Sequence, residues 1–243
     1  FFDGRFGVIA GGQLEPYSHE SRGCLWVTDD GGRSWSCLDG QRLPRLLGIQ
    51  CITSEHWLAW GDWSPVYRSS VFESHDGGET WIGRPSPIAH TASAAFNAQG
   101  EGYVVDRLSR VFHVDAQNQW QPVSIETDAT LPIRQVHLQG DRCWLVGAAG
   151  QVWTREAREA FQAIRLPGST HDAFLQDLQS IAVDRSRVWI VGSPGNVIWF
   201  SPDRGETWQI QRAPDSLRKT RIRHINGESP ICRGTMANIT ATR

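Results

Sequence analysis

Short apolar stretches alternate with polar turns along the chain. One class of stretch is a strand-like run of five to seven residues, found at 46–52, 92–96, 133–138, 178–183 and 221–225. A second apolar stretch, which ends near a glycine, recurs most clearly at 142–152 and 187–197, and more weakly at 6–11, 56–61 and 231–239. This pattern predicts short β-strands. The stretch at 155–163 is rich in Arg, Glu and Ala and could form a helix, but its place in the repeat indicates a turn.

A polar turn motif occurs three times with nearly the same sequence, at 28–35, 74–81 and 201–208. Each copy has a Ser or Thr, an Asp two residues later, a Gly, and then a Ser or Thr followed by Trp. We expect the Asp carboxylate to accept hydrogen bonds from backbone N–H groups of the turn, and the Gly to adopt left-handed dihedrals. The Trp would begin the return strand and cover the apolar face of the hairpin. The sequence therefore predicts structural roles for Asp30, Trp35, Asp76, Trp81, Asp203 and Trp208.

The turn motif recurs at a regular period, because two degenerate copies fill the interval between the second and third clear ones. They are 112–120, which lacks one turn residue, and 154–161, in which Glu, Ala and Phe replace Asp, Thr and Trp. The aromatic residues that close the five copies are 39 to 47 residues apart. Each repeat holds four short strands, here named A, B, C and D, with the Asp-containing turn between C and D. Four-stranded units of this length are typical of the blades of an all-β propeller.

The Asp-containing turn resembles the Asp-box, or bacterial neuraminidase repeat. Together with the Gly-x-x-Gly-x-Val runs at 147–152 and 192–197, it makes the chain similar to the Asp-box β-propellers that include photosystem II stability and assembly factors. The resemblance covers almost the whole chain and implies a β-propeller fold. It says less about function, because the same turn occurs in sialidases, in other glycoside hydrolases and in sorting receptors.

The number of blades follows from counting the repeats. Four copies are whole, at 46–84, 91–123, 133–165 and 175–211. The first blade lacks most of its A strand, and residues 221–243 supply strands A, B and C of a last blade that stops before its D strand. We predict a single domain over residues 1–243 with six blades, and five or seven blades as alternatives. The sequence starts inside a strand and without Met, which favours a processed or partial chain, or one propeller of a larger protein.

Composition narrows the classes of function. The chain has 243 residues, 40% of them hydrophobic, which is enough to bury a sizeable core. Its net charge of -2 offers no basic field for nucleic acid, and no apolar run approaches the roughly 18 residues that span a membrane. The five cysteines form no Cys-x-x-Cys pair and have no His at metal-ligand spacing. We therefore predict no metal site, no cofactor and no nucleic-acid partner.

Candidate binding residues lie in the loops that share one face of the predicted propeller. The B–C and D–A loops emerge on the face opposite the Asp-containing turns. Two B–C loops, 12–22 and 62–70, are longer than the fold requires, and long loops on a rigid scaffold concentrate binding residues. Tyr, Trp and Arg are also frequent anchors of protein interfaces. These loops contribute seven candidates: Tyr17, His19, Glu20, Arg22, Trp63, Tyr67 and Arg68.

Arginines complete the candidate binding set. Arg45, Arg134 and Arg221 begin or precede A strands, which line the central channel of a propeller. They could ring the mouth of the channel and attract an anionic group, and the assembly factors that the chain resembles carry an arginine patch. The A strands at 91 and 178 have no equivalent Arg, so such a ring would be partial. The alternative is that the two long loops are surface insertions without a binding role.

Two classes of function fit these residues. The first is a non-catalytic propeller that binds a protein partner and assembles a complex, and the resemblance implies a membrane-associated complex on the extracytoplasmic side. The second is a glycan-directed hydrolase of the sialidase type, or a lectin. A sialidase needs three arginines around a carboxylate, a Tyr nucleophile paired with Glu, and an acidic Asp. No such set stands out here, so we assign no catalytic residue and expect a protein partner.

Overall fold

The regular secondary structure of the described chain is almost entirely antiparallel strand. The computed structural model describes residues 1–14, 20–38, 42–125, 131–157, 159–167, 176–194 and 197–212. The strands form five sheets, each built from consecutive strands. The first sheet contains β1 (Gly7–Leu14), β2 (Ser21–Thr28) and β3 (Ser36–Cys37). The second contains β4 (Leu46–Cys51), β5 (Trp57–Ser64), β6 (Ser69–Ser74) and β7 (Ile82–Arg84).

The remaining three sheets repeat the four-stranded pattern. The third contains β8 (Thr91–Phe96), β9 (Gly102–Asp106), β10 (Val111–Val114) and β11 (Trp120–Val123). The fourth contains β12 (Ile133–Gln139), β13 (Arg142–Gly147), β14 (Val152–Glu156) and β15 (Gln162–Ile164). The fifth contains β16 (Asp177–Asp184), β17 (Arg187–Ser193), β18 (Val197–Ser201) and β19 (Gln209–Arg212). A single 3-10 turn, Ala148–Gly150, interrupts the described strands.

These sheets are the blades of a β-propeller, as the sequence predicted. The innermost strands β4, β8, β12 and β16 lie side by side in succession, and β1 packs against β4. The described residues of the 155–163 stretch form the end of β14, a turn and the start of β15, and none of them is helical. Residues 221–243, which were predicted to form a sixth blade, lie outside the described residues, so the blade number remains a prediction. In the part of the chain that the structure describes, no helix is long and apolar enough to span a membrane.

The core is divided into layers between neighbouring blades. Each of four apolar clusters draws its side chains from two sheets that follow one another in the chain. Trp57, at 1% exposure, belongs to the layer between blades 1 and 2, and Trp144, also at 1%, belongs to the layer between blades 4 and 5. A blade is only one sheet thick, so its apolar faces are removed from water only when the neighbouring blades cover them.

Polar side chains of the A strands connect successive blades. The side-chain amide of Gln50 donates to the Phe96 carbonyl at 2.6 Å and accepts from the Phe96 N–H at 2.9 Å. Two further bonds have the same role: the Val136 N–H donates to the Ser93 hydroxyl at 3.1 Å, and the Ile181 N–H donates to the side-chain oxygen Oε1 of Gln135 at 2.8 Å. These bonds satisfy backbone donors where one A strand faces the next.

The Asp-containing turns hold their hairpins through a fixed set of hydrogen bonds. In the second copy, the Asp76 carboxylate accepts the Thr80 N–H at 2.8 Å and the hydroxyl groups of Ser74 and Thr80. The Ser74 hydroxyl accepts the Gly78 N–H at 2.8 Å, and the Trp81 indole donates to the Gly78 carbonyl at 3.0 Å. The copies at 28–35 and 201–208 make the same bonds. Asp30, Trp35, Asp203 and Trp208 thus occupy the positions of Asp76 and Trp81.

The turns differ in which residues adopt the left-handed backbone conformation. Gly77 and Gly78 have φ of 69° and 88°, as the motif predicts for glycine. In the third copy Arg204 takes the first of these positions with φ of 58°. The degenerate copy in blade 3 keeps the carboxylate contact, because Asp115 accepts the N–H groups of Gln117 at 2.9 Å and Gln119 at 2.8 Å. The carboxylate contact thus persists where the surrounding sequence has diverged.

Candidate functional site

A buried carboxylate joins three blades on the face that carries the B–C turns. We call this surface, formed by the B–C turns and the first residues of the A strands, the loop face. Asp62 of β5 accepts hydrogen bonds from Arg45 at 3.1 and 3.2 Å, from the Ser21 hydroxyl at 3.0 Å and from Arg107 at 2.9 Å. Ser21 begins β2, Arg45 precedes β4, and Arg107 lies between β9 and β10. We call these four residues the Asp62 cluster.

The carboxylate at the centre of the Asp62 cluster is ionised and buried. Asp62 is 5% exposed. Burial raises the pKa of Asp62, but the hydrogen bonds from Arg45 and Ser21 and the charges of Arg45 and Arg107 outweigh it, so the pKa lies below its ordinary value. His90 Nδ1 also lies 3.5 Å from the carboxylate. Two arginines from different blades around one carboxylate hold the three B–C regions in a fixed relative position.

An irregularity in β5 places Asp62 inward. The register between β5 and β6 shifts between Trp60 and Ser64, so β5 carries extra residues in this interval. Gly61 makes the close approach possible, since a Cβ atom there would lie 2.1 Å from the Arg45 carbonyl oxygen. The Asp62 N–H donates to that same carbonyl at 3.0 Å. The side chain of Asp62 therefore points into the cluster, and that of the next residue, Trp63, points outward.

Both long B–C loops are shorter than the sequence predicted. The ladder of β1 and β2 continues to the pair Leu14–Ser21, and Ser64 still pairs with Ser69. The loop predicted at 62–70 therefore contains only residues 65–68 outside the strands, and it closes through the Arg68 N–H to the Ser64 carbonyl at 2.7 Å. The other residues of each predicted loop extend the paired B and C strands.

Large apolar side chains are exposed around the Asp62 cluster. Trp63, which follows Asp62, is 41% exposed, and Val66 in the adjoining loop is 65% exposed. Leu108, which follows Arg107, is 74% exposed, and Leu14, which pairs with Ser21, is 45% exposed. Trp63 is the exposed member of the twelve tryptophans, all of which lie in the described residues. An indole exposed next to a rigid buried ion cluster is typical of an interaction surface.

Three of the four described candidate arginines are paired with carboxylates. Arg45 binds Asp62, Arg134 binds Asp177 through two contacts of 3.0 Å, and Arg22 lies 3.2 Å from Glu20. Arg134 occupies the bulge of β12, whereas the corresponding bulge of β4 is Leu47, which is 44% exposed. Arg45 and Arg134 are therefore not equivalent in the repeat, and neither presents an open cationic site.

The remaining candidates divide between packed, exposed and undescribed positions. The Tyr67 ring packs against Phe72 with centroids 5.5 Å apart, so Tyr67 is partly a core residue. Arg68 is exposed and has φ of 52°. Tyr17, His19 and Arg221 lie outside the described residues. Of the predicted set, Trp63 and Arg68 are thus the side chains most available to a partner.

The structure adds residues that the sequence analysis missed. Arg107, Leu14, Val66 and Leu108 reach the loop face from three different blades. Leu14 and Val66 lie inside the two predicted loops but were not among the candidates, and no local motif marks Arg107 or Leu108. On the opposite face, His56, Glu73 and His75 bring potential metal-ligand atoms within 4.8 Å of one another, although the sequence predicted no metal site. The Glu-x-His spacing at the end of β6 is the pattern that could have indicated them.

Comparisons with known proteins support the fold. No protein-family model and no curated protein matches the chain. Among solved structures, YCF48 bound to a D1 peptide matches with a TM-score of 0.57 and 19% identity, over 77% of this chain and 60% of that one. YCF48 from Cyanidioschyzon merolae matches with a TM-score of 0.56 and 15% identity, over 77% of this chain and 66% of that one. The chain thus spans less than two thirds of each.

A third solved structure belongs to an enzyme. Selenomethionine-substituted virginiamycin B lyase from Staphylococcus aureus matches with a TM-score of 0.56 and 12% identity, over 86% of this chain and 75% of that one. At these identities the likeness concerns the fold, and a β-propeller supports both binding proteins and enzymes.

Proposed function

We propose that this chain is a non-catalytic β-propeller of the Asp-box type that binds a protein partner through the loop face. The observation that carries the proposal is the exposure of Trp63, Val66 and Leu108 next to the Asp62 cluster. An interface needs apolar anchors that are already held in place, because ordering mobile side chains on binding lowers affinity. The Asp62 cluster meets this need, because it holds the backbone segments that carry Trp63, Val66 and Leu108.

A protein partner explains this surface better than a glycan does. Trp is among the residues that contribute most to protein interfaces. The described arginines Arg45, Arg107 and Arg134 are bound to carboxylates of the chain itself. A sialidase-type site would need such arginines to converge on the carboxylate of the substrate. YCF48, a similar propeller, has been solved with a peptide bound, and we extend that mode of binding to this chain.

We further propose that the partner belongs to a membrane-associated complex and that the chain works on the extracytoplasmic side. This part rests on the resemblance to photosystem assembly factors alone. Locating the protein by fractionation of the native cell tests it independently of the binding surface, since recovery in the cytoplasm would rule it out while leaving the loop face unaffected.

The test of the binding proposal compares a loop-face variant with a control variant that loses an exposed apolar side chain elsewhere. Trp63→Ala combined with Val66→Ser removes anchors of the loop face, and Ile82→Ser removes the 57% exposed Ile82 of β7. Tyr67 is left in place, because its ring packs on Phe72. Tagged wild type and both variants are used to capture partners from the native source, with quantification by mass spectrometry and repetition of the binding with the purified partner.

We expect one defined protein to bind wild type and Ile82→Ser equally, and the loop-face variant at least about tenfold more weakly. Equal binding by all three proteins would place the partner elsewhere on the propeller. Turnover of fluorogenic glycosides by wild type, abolished in the loop-face variant, would replace the binding proposal with the hydrolase alternative.

A further inference from the structure

A cluster of two histidines and a glutamate lies on the Asp-turn face of blade 2, away from the loop face. His56 Nε2 is 2.7 Å from Glu73 Oε1, and His75 Nε2 is 3.6 Å from the same oxygen. The two imidazole rings stack with centroids 4.6 Å apart and an interplanar angle of 21°. Three potential ligand atoms, two imidazole nitrogens and a carboxylate oxygen, therefore lie within 4.8 Å of one another, and both ligand types bind transition metals.

The backbone brings these side chains together without strain. Trp57 pairs with Ser74 across β5 and β6, so the next position outward sets His56 opposite His75. Glu73 and His75 are two residues apart, which places them on one side of the strand. Cross-strand neighbours on one side have Cβ atoms about 5 Å apart, the separation that two ligands of one ion require. The ladder itself fixes the arrangement.

A buried arginine lies beside the carboxylate. Arg84 Nε is 4.0 Å from Glu73 Oε2, an ion pair without a hydrogen bond. Arg84 is 6% exposed, and it donates hydrogen bonds to the Gly100 carbonyl at 2.9 Å and to Asn118 Oδ1 at 3.2 Å. These bonds fix a positive charge next to Glu73, while the other carboxylate oxygen, Oε1, faces the two imidazoles. Fixed groups outside the ligand set are typical of metal sites.

We propose that His56, Glu73 and His75 form a binding site for Zn²⁺ or a similar divalent transition-metal ion. Zinc bonds of about 2.0–2.2 Å in tetrahedral geometry separate the ligand atoms by about 3.3 Å. The distances of 2.7 and 3.6 Å lie on either side of this value, so small side-chain rotations produce the geometry. Three protein ligands leave one position for water. The ion would tie the A–B link to the C strand and to the Asp-containing turn.

Blade 3 contains a natural control for this site. Glu101 occupies the position of His56, and His113 occupies that of Glu73, with Nε2 3.0 Å from the Glu101 carboxylate. The degenerate turn at 112–120 lacks the residue that corresponds to His75. Blade 3 therefore has a single His–Glu pair where blade 2 has three convergent ligands, and we expect no comparable metal affinity there.

The test is titration of tag-free, EDTA-treated protein with zinc chloride at pH 7 by calorimetry, with Co²⁺ as a spectroscopic probe. We compare wild type, His75→Gln and His113→Gln. His75 is 63% exposed, so its replacement leaves the fold intact, which circular dichroism and the melting temperature of the metal-free protein verify. Wild type and His113→Gln should bind one equivalent of zinc and melt at a higher temperature with it. His75→Gln should bind at least about tenfold more weakly and show no such shift.

Three results would overturn the proposal: no stoichiometric binding by wild type, equal binding by wild type and His75→Gln, or an equal loss in His75→Gln and His113→Gln. The last would indicate adventitious coordination by surface histidines. The Co²⁺ spectrum adds a separate criterion, because intense visible absorption of four- or five-coordinate Co²⁺ should appear in wild type and disappear in His75→Gln. Failure of this site would leave the proposed protein-binding function unaffected, since the two lie on opposite faces.

Discussion

At the scale of single residues, Asp62 links stability to the shape of the loop face. Asp62→Asn removes the charge that Arg45 and Arg107 share, and the side chain of Arg45 is only 28% exposed. We expect the free energy of unfolding to fall by about 2–3 kcal/mol, because removing one partner of an enclosed ion pair leaves the other uncompensated. Urea unfolding at pH 7 measures this loss. Asp177→Asn is the matched control, and its more exposed pair with Arg134 should cost at most about 1 kcal/mol.

A second residue-scale prediction concerns Gly61. A Cβ added there would lie 2.1 Å from the Arg45 carbonyl oxygen, and one added at Gly147 or Gly192 would lie 2.5 Å from the corresponding carbonyl oxygen in blade 4 or 5. The first glycine of the repeated Gly-x-x-Gly run is thus required by close contact between strands A and B. Gly61→Ala should cost about 1–3 kcal/mol by overpacking. Urea unfolding measures this cost. Gly4→Ala is the control, because an added Cβ there meets no atom within 4 Å, so its free energy of unfolding should be nearly unchanged.

At the scale of elements, the Asp-containing turns make stability depend on pH. Hydrogen bonds from the hydroxyl and N–H of Thr80 and from the hydroxyl of Ser74 lower the pKa of Asp76 to about 2, whereas it is about 3.9 in an unfolded chain. A carboxyl whose pKa is lower in the folded state stabilises the fold above about pH 4, and this contribution disappears as the pH falls towards 2. Asp76→Ala should therefore be less stable than wild type at pH 7, and the gap should narrow below pH 4. A gap that is constant from pH 7 to 2 would show that the turn depends on shape and not on charge.

The sequence predicted the turns and strands of each repeat, but not the contacts between residues of different blades. Each turn is held by hydrogen bonds between residues close in sequence, such as Ser74, Asp76 and Trp81, so the repeated hairpins can be recognised from the sequence. The Asp62 cluster is assembled from residues 17, 41 and 45 positions away from Asp62, and no local pattern encodes those contacts. The ion pairs of Arg45 and Arg134 could not be predicted for a related reason, because their carboxylate partners, Asp62 and Asp177, belong to other strands.

At the scale of the whole molecule, the division of the core between blades predicts which substitutions act independently. Val71 lies in the layer between blades 2 and 3, whereas Val146 and Val188 share the layer between blades 4 and 5. Each Val→Ala change should cost about 2–3 kcal/mol, for the lost methyl groups and the cavity that they leave. The costs of Val71→Ala and Val188→Ala should add to within about 0.5 kcal/mol, because residues in separate layers share no contacts. Val146→Ala and Val188→Ala should deviate from additivity by more than that, since both belong to the same apolar layer. Double-mutant cycles in urea measure both couplings, and a larger coupling between the distant pair would mean that the blades transmit strain around the propeller instead of packing as independent neighbours.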